Sequence, residues 1–187
     1  LMLLVKSPYV ACYENAWHHD LTWRETPTMG AILHGIEVPE VGGDTLFADM
    51  YAAYEGLPAD LRARVDHLDV VHTFVHTFGA FLSPEQTARM LETYPPPTHP
   101  LVCAHDVTGR RHLYVNRNFA SHVVGLDVDE SRELIDQVCR HADYPEYQCR
   151  FRWEPHSVAF WDNRAVQHYA SSDYWPQARI MERASVI

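Results

Sequence analysis

The chain has 187 residues, 47% of them hydrophobic and 21% charged, with a formal net charge of −10. That length and balance suit one globular domain with a substantial core, and no run approaches the ~18 consecutive apolar residues of a membrane-spanning helix. The acidic balance argues against a nucleic-acid partner, whose phosphates need a basic face, and requires that any anionic ligand be held by local cations.

Taken in chain order, the opening residues 1–6 (LMLLVK) are too short and wrongly flanked for a signal peptide. Residues 29–38 (MGAILHGIEV) read as a strand, and Gly42-Gly43-Asp44 as a turn. Residues 51–68 carry helix formers broken at Leu57-Pro58, which predicts two short helices. Ser83-Pro-Glu-Gln supplies an N-cap with proline at the first helical position, predicting a third helix over 83–93, and Pro95-Pro96-Pro97 marks a loop. Thr108-Gly109 turns the chain into a strand over 111–115. Residues 129–141 place apolar side chains at 134, 135 and 138 behind an acidic start, an amphipathic helix. Residues 147–153, 157–161, 165–169 and 179–187 complete the strands, with Asp162-Asn163-Arg164 as a turn between two of them. Many short strands with a few flanking helices predict a mainly β antiparallel sandwich or jelly roll, one domain over 1–187. Neither end looks native, since the chain lacks an initial Met and stops inside an apparent strand, so an ordered core of something longer is expected. Cys12, Cys103, Cys139 and Cys149 are too scattered for a metal motif and read as reduced thiols of a cytoplasmic protein.

The chemical signal begins at Trp17-His18-His19-Asp20. In an extended segment His18 and Asp20 share one face and His19 takes the other, so His18 and Asp20 can reach one cation about 2 Å away. With thirteen histidines in the chain, an H-x-D by itself is weak. His168, on the strand after the Asp162-Asn163-Arg164 turn, is the candidate third ligand. Two histidines and one carboxylate on one face of an octahedron leave positions open, the arrangement of iron(II) oxygenases. Arg179 and Arg183 share a face of the last strand with Met181, and arginines turned inward there are costly unless each meets an anion. Arg179 suits a carboxylate clamp, and Arg183, about 13 Å further along at ~3.3 Å per residue, serves either a substrate or a structural acid.

These residues resemble the taurine dioxygenase (TauD/TfdA) family. The similarity runs in order through WHHDLTW (17–23), MGAIL (29–33), GGDTL (42–46), YAAY (51–54), WDNRAVQHY (161–169) and DYWPQARIMER (173–183). It implies a double-stranded β-helix with His18, Asp20 and His168 on Fe(II), and with Thr45 and Arg179 on the distal carboxylate of 2-oxoglutarate. It also implies Arg183 on the acidic group of the substrate and Trp161 packed behind the metal strand. The activity so implied is O₂-dependent hydroxylation of a small anionic organic substrate (sulfonate, sulfate ester, carboxylate or aryloxy acid), coupled to conversion of 2-oxoglutarate to succinate and CO₂. A homodimer or homotetramer is the implied assembly. Members carry several dozen more residues before the H-x-D segment, whereas 17 precede His18 here, so the fold is expected to lack its N-terminal part. Asn15 and Glu14 are candidates to line the pocket. Two rivals are a hydrolase holding zinc on His72 and His76, if those lie one helical turn apart, and a non-catalytic jelly-roll protein.

Overall fold

The computed structural model describes residues 2–6 and 15–187. Cys12 and Glu14, considered above as a thiol and a pocket residue, lie outside the described residues. The chain runs β1 (Met2–Lys6), β2 (Gly30–Glu37) and β3 (Thr45–Asp49) into α1 (Met50–Glu55) and α2 (Ala59–Val65). It continues through β4 (Asp69–His72), α3 (Val75–Phe78), α4 (Pro84–Thr93), β5 (Thr98–Pro100), β6 (Val102–Ala104), β7 (Arg111–Leu113) and β8 (Ala120–Val123). After α5 (Val128–Cys139) come β9 (Gln148–Phe151), β10 (Val158–Asp162), β11 (Val166–Ala170) and β12 (Arg179–Val186).

Two antiparallel sheets, ordered β1-β12-β2-β10 and β11-β3-β9, form the jelly-roll sandwich. Ala31, Leu33, Ala159, Trp161 and Met181 from the first sheet meet Phe47, Phe151 and Val166 from the second, with Trp153 just beyond β9. The Phe47 and Trp161 rings lie 5.3 Å apart across the gap. Period-2 alternation is clean on β10, where Ala159 and Trp161 are buried while Val158 and Phe160 are exposed. The smaller sheets β5-β4-β8 and β6-β7 pack with α1, α2 and α5 around a second core that includes Met50, Leu61, Val65, Leu101, Leu134 and Val138.

The helices form where their signals stand. Asp49 caps α1 by accepting from the N–H groups of Tyr51 (2.8 Å) and Ala52 (3.2 Å). Pro58 ends that helix run and opens α2, and Ser83 and Gln86 cap each other's backbone at the start of α4. Unexpected from the sequence were β1, β3, β4, β5, β6 and β8. Of these β3 matters most, because it carries Thr45 and lies between β11 and β9. A central strand is half-covered on both faces, which blurs the alternation that would reveal it. The turn feeding β3 needs glycine: Gly42 and Gly43 sit at φ 82° and 71°, and a Cβ on Gly42 would lie 2.7 Å from the Asp173 carbonyl oxygen.

Candidate metal centre and its cleft

β11 lies at the edge of its sheet, and the His18 segment closes that edge. His18 and His168 exchange both backbone hydrogen bonds, at 3.1 and 2.9 Å. A pair bonded in this way projects both side chains to the same side, and the two imidazoles sit with centroids 4.2 Å apart. The chain then turns, and Asp20 brings its carboxylate to them: Oδ1 is 3.8 Å from His18 Nε2 and Oδ2 is 3.7 Å from His168 Nε2. One ligand atom from each residue lies within 4.8 Å of the others, the only such cluster among the described residues. His19 turns the opposite way and packs on Tyr114 at 5.0 Å, as expected for the neighbouring position.

The donor set fits a divalent ion. His18 Nδ1 meets the Ala16 carbonyl at 2.7 Å, which fixes the N–H there and leaves the Nε2 lone pair facing Asp20. Burial, reinforced by His18 and by the Arg183 guanidinium, holds the His168 pKa well below its ordinary value, so its ring is neutral at neutral pH and keeps a nitrogen lone pair. Trp161 stands 4.9 Å behind that ring.

These groups line a cavity of about 170 Å³ that also receives Thr45, Arg179 and Arg183. Arg179 is buried (3% exposed), and its Nη2 donates to Thr45 Oγ1 at 3.3 Å. Trp153 Nε1 donates to the same hydroxyl at 3.0 Å, and the guanidinium lies 5.6 Å from the Trp153 ring centre. Arg183 reaches back to Asp20 with Nη2 2.6 Å from Oδ2. The approach makes a close ion pair rather than an aligned hydrogen bond, because Oδ2 has no partner in hydrogen-bond geometry. Trp161 Nε1 and Arg183 Nε, both buried, find no acceptor among the described residues. Such donors suit anionic guests. Trp23, Phe78, Phe119, Leu21 and Leu33 give the cavity an apolar wall.

Asn15 does not join this cavity. It is exposed, donates to Ser172 Oγ at 2.9 Å and lines a separate depression with Trp17, Tyr169 and Arg150. Trp17 and Tyr169, the neighbours of the His18–His168 pair, meet with ring centroids 5.6 Å apart and line the same depression as Asn15. The zinc pair is also not formed: His72 ends β4, fully buried on Thr22 Oγ1 at 2.8 Å, whereas His76 is exposed on α3. They share no helical face. Sequence reasoning missed Asn163, which binds the Asp20 backbone; its place in the turn was readable, its inward aim was not.

A family model described as taurine catabolism dioxygenase TauD, TfdA family, matches residues 5–185. An alpha-ketoglutarate-dependent sulfate ester dioxygenase of Pseudomonas putida is 36% identical over 180 residues, covering 92% of this chain and 59% of its own length. An alpha-ketoglutarate-dependent 2,4-dichlorophenoxyacetate dioxygenase of Cupriavidus pinatubonensis is 35% identical over 152 residues, covering 81% and 53%. Among solved structures, AAD-2 in complex with Mn(II) and N-oxalylglycine superposes with a TM-score of 0.84 at 31% identity, covering 93% of this chain and 69% of that one. A taurine dioxygenase from Burkholderia xenovorans gives 0.79 at 36%, covering 98% and 61%. The chain thus spans a little over half the length of these curated relatives.

Proposed function

Because this chain belongs to the TauD/TfdA family of taurine catabolism dioxygenases, we propose that it holds Fe(II) on His18, Asp20 and His168 and uses 2-oxoglutarate and O₂ to hydroxylate a small organic anion. The observation carrying the proposal is the convergence of two imidazole nitrogens and one carboxylate within 4.8 Å, far apart in sequence, in a cavity that also holds two arginines. When bound, the ion supplies the open coordination positions on which a 2-oxo acid and O₂ react. The chain's own residues supply orientation and charge. His18 keeps its Nε2 free through the Ala16 carbonyl, and the buried, neutral His168 offers the second nitrogen. Arg179 and Thr45 grip the distal carboxylate of 2-oxoglutarate, a guanidinium and a hydroxyl in a region poor in water. With its carboxylate turned to the ion, Asp20 would leave Arg183 free to receive the anionic head of the substrate. The apolar wall of Phe78, Phe119 and Trp23 receives the carbon skeleton and excludes water.

In the overall reaction one substrate C–H becomes C–OH while 2-oxoglutarate becomes succinate and CO₂. Where the hydroxylated carbon carries the ester or ether oxygen or the sulfonate sulfur, the product collapses to a carbonyl compound and expels sulfate, a phenol or sulfite. Alkyl sulfates, sulfonates and aryloxy acids are therefore the proposed substrates, in keeping with relatives named for sulfate esters and 2,4-dichlorophenoxyacetate. The free thiols of Cys103, Cys139 and Cys149 support a reducing, cytoplasmic setting.

The test is a succinate-release screen across those acids with Fe(II), 2-oxoglutarate and ascorbate. At least one acid should stimulate succinate formation well above the acid-free rate. No stimulation by any acid, in protein that binds the metal, would reject the substrate class.

A further inference from the structure

We infer that Asn163 is the positioning residue of the metal centre: its carboxamide fixes the backbone at Asp20 and so aims the carboxylate ligand. The inference rests on the metal-centre reading above. Asn163 is fully buried, in the turn joining β10 to β11 and five residues before His168. Its side chain behaves like a short piece of strand. Oδ1 accepts the Asp20 N–H at 2.7 Å, and Nδ2 donates to the Asp20 carbonyl at 3.0 Å. The same Nδ2 donates to the Thr28 carbonyl at 3.0 Å, with Thr28 Oγ1 at 3.4 Å, while the Asn163 backbone N–H donates to the Met29 carbonyl at 2.9 Å. One amide therefore uses both donors and its acceptor to tie the start and end of the 20–28 loop to the strand pair that carries His168.

Asp20 needs such a clamp because its local sequence does not favour the turn. Leu21, the next residue, sits at φ 55°, in the left-handed region that residues with a Cβ rarely adopt. Both backbone polar groups of Asp20 are satisfied by Asn163, so breaking the clamp removes the bonds that hold the strained conformation. The turn itself is held from its other side. Asp162 accepts from the Arg164 backbone N–H and Nε, both at 2.9 Å, and meets His105 Nε2 at 2.9 Å. Arg164 also reaches Asp106 at 2.6 Å. The turn should therefore survive loss of the Asn163 side chain, and the ligand's aim should not. Asn163 does not line the cavity, so its influence passes through Asp20.

The experiment titrates Mn(II) into full-chain wild type, Asn163→Ala, Asn163→Asp and Arg164→Met, reading free Mn(II) by electron paramagnetic resonance. Metal-free thermal unfolding is measured alongside. Asn163→Asp keeps the shape but sets an oxygen against the Asp20 and Thr28 carbonyls. Both Asn163 variants should raise the Mn(II) Kd by about 10- to 100-fold, the range for loss of a group that orients a ligand. Arg164→Met should lower Tm with the Kd unchanged. Wild-type binding with unaltered Kd in folded Asn163 variants would overturn the inference alone, as would an equal loss in Arg164→Met. Wild type that takes up no Mn(II) would overturn the metal-centre reading with it. If neither Asn163 variant folds, amide exchange in metal-free wild type decides: a strongly protected Asp20 N–H supports the clamp, and exchange at an exposed-loop rate rejects it.

Discussion

The cavity around His18, Asp20 and His168 and the packed cluster directly behind it are both rich in histidine, and they use imidazole in opposite ways. At the cavity, His18 and His168 turn Nε2 toward one carboxylate, and each ring sits where a ligand can reach it. Behind it, His19, His72, His99 and His112 surround the Tyr114 ring at 5.0 to 6.3 Å. There burial depresses the pKa of His19 and His112 and takes His72 down to about 3, so these rings pack as neutral, flat side chains. His19 finds no hydrogen-bond partner for either ring nitrogen among the described residues. A histidine becomes a ligand through convergence on a carboxylate at an opening, and a one-residue shift along the chain decides which of the two fates it meets.

Exchanging ligands and packers should break that contrast most sharply. His168→Ala should abolish divalent-metal binding and substrate-dependent succinate formation, whereas His19→Leu, of similar volume, should leave the metal Kd within about threefold and Tm no lower than wild type. Calorimetric metal titration of both variants checks this, and metal binding by His168→Ala would remove that ring from the centre. Next in size is Arg179→Ala, expected to raise the half-saturating 2-oxoglutarate concentration about 100-fold, equivalent to about 3 kcal/mol for a buried charged hydrogen-bond donor. Steady-state kinetics at saturating substrate would expose an unaltered requirement.

How far this was legible depends on the residue. The choice of His18 over His19 and the common face of Arg179 and Arg183 followed from strand period, and two helix starts from Pro58 and Ser83, whereas the Asp49 cap of α1 went unread. The pairing of Arg183 with Asp20 was hidden, because it depends on a turn stabilised by Asn163 from 143 positions away in sequence. Asn15 looked like a pocket residue by its nearness to His18, yet it lines a separate depression beside Ser172. The Tyr114 cluster was equally invisible, since its histidines come from strands and loops with no common spacing.

A smaller effect tests the shared role of Asp20. Arg183→Met removes the cation that now neutralises its carboxylate, so Mn(II) should bind several-fold more tightly without substrate, while anionic substrates should show a raised KM. Weaker metal binding in this variant would mean that the pair orients Asp20 rather than competing for it. The remaining expected change lies in the packed cluster and concerns stability rather than binding. Below pH 6.5 the unfolded chain protonates His72 while the folded chain, with its pKa at about 3, does not. Stability from this group is complete above pH 6.5 and falls with decreasing pH, by up to about 1.4 kcal/mol per pH unit, until roughly pH 3. Urea unfolding between about pH 7 and about pH 5 should show that slope, and His72→Gln should reduce it by about one proton.

The most direct measurement is an anaerobic titration of Fe(II) and 2-oxoglutarate followed by visible absorption. Wild type and His19→Leu should each develop a weak charge-transfer band that needs both components, and His168→Ala should develop none. No band in wild type, or an undiminished band in His168→Ala, would contradict a ferrous centre built on His18, Asp20 and His168.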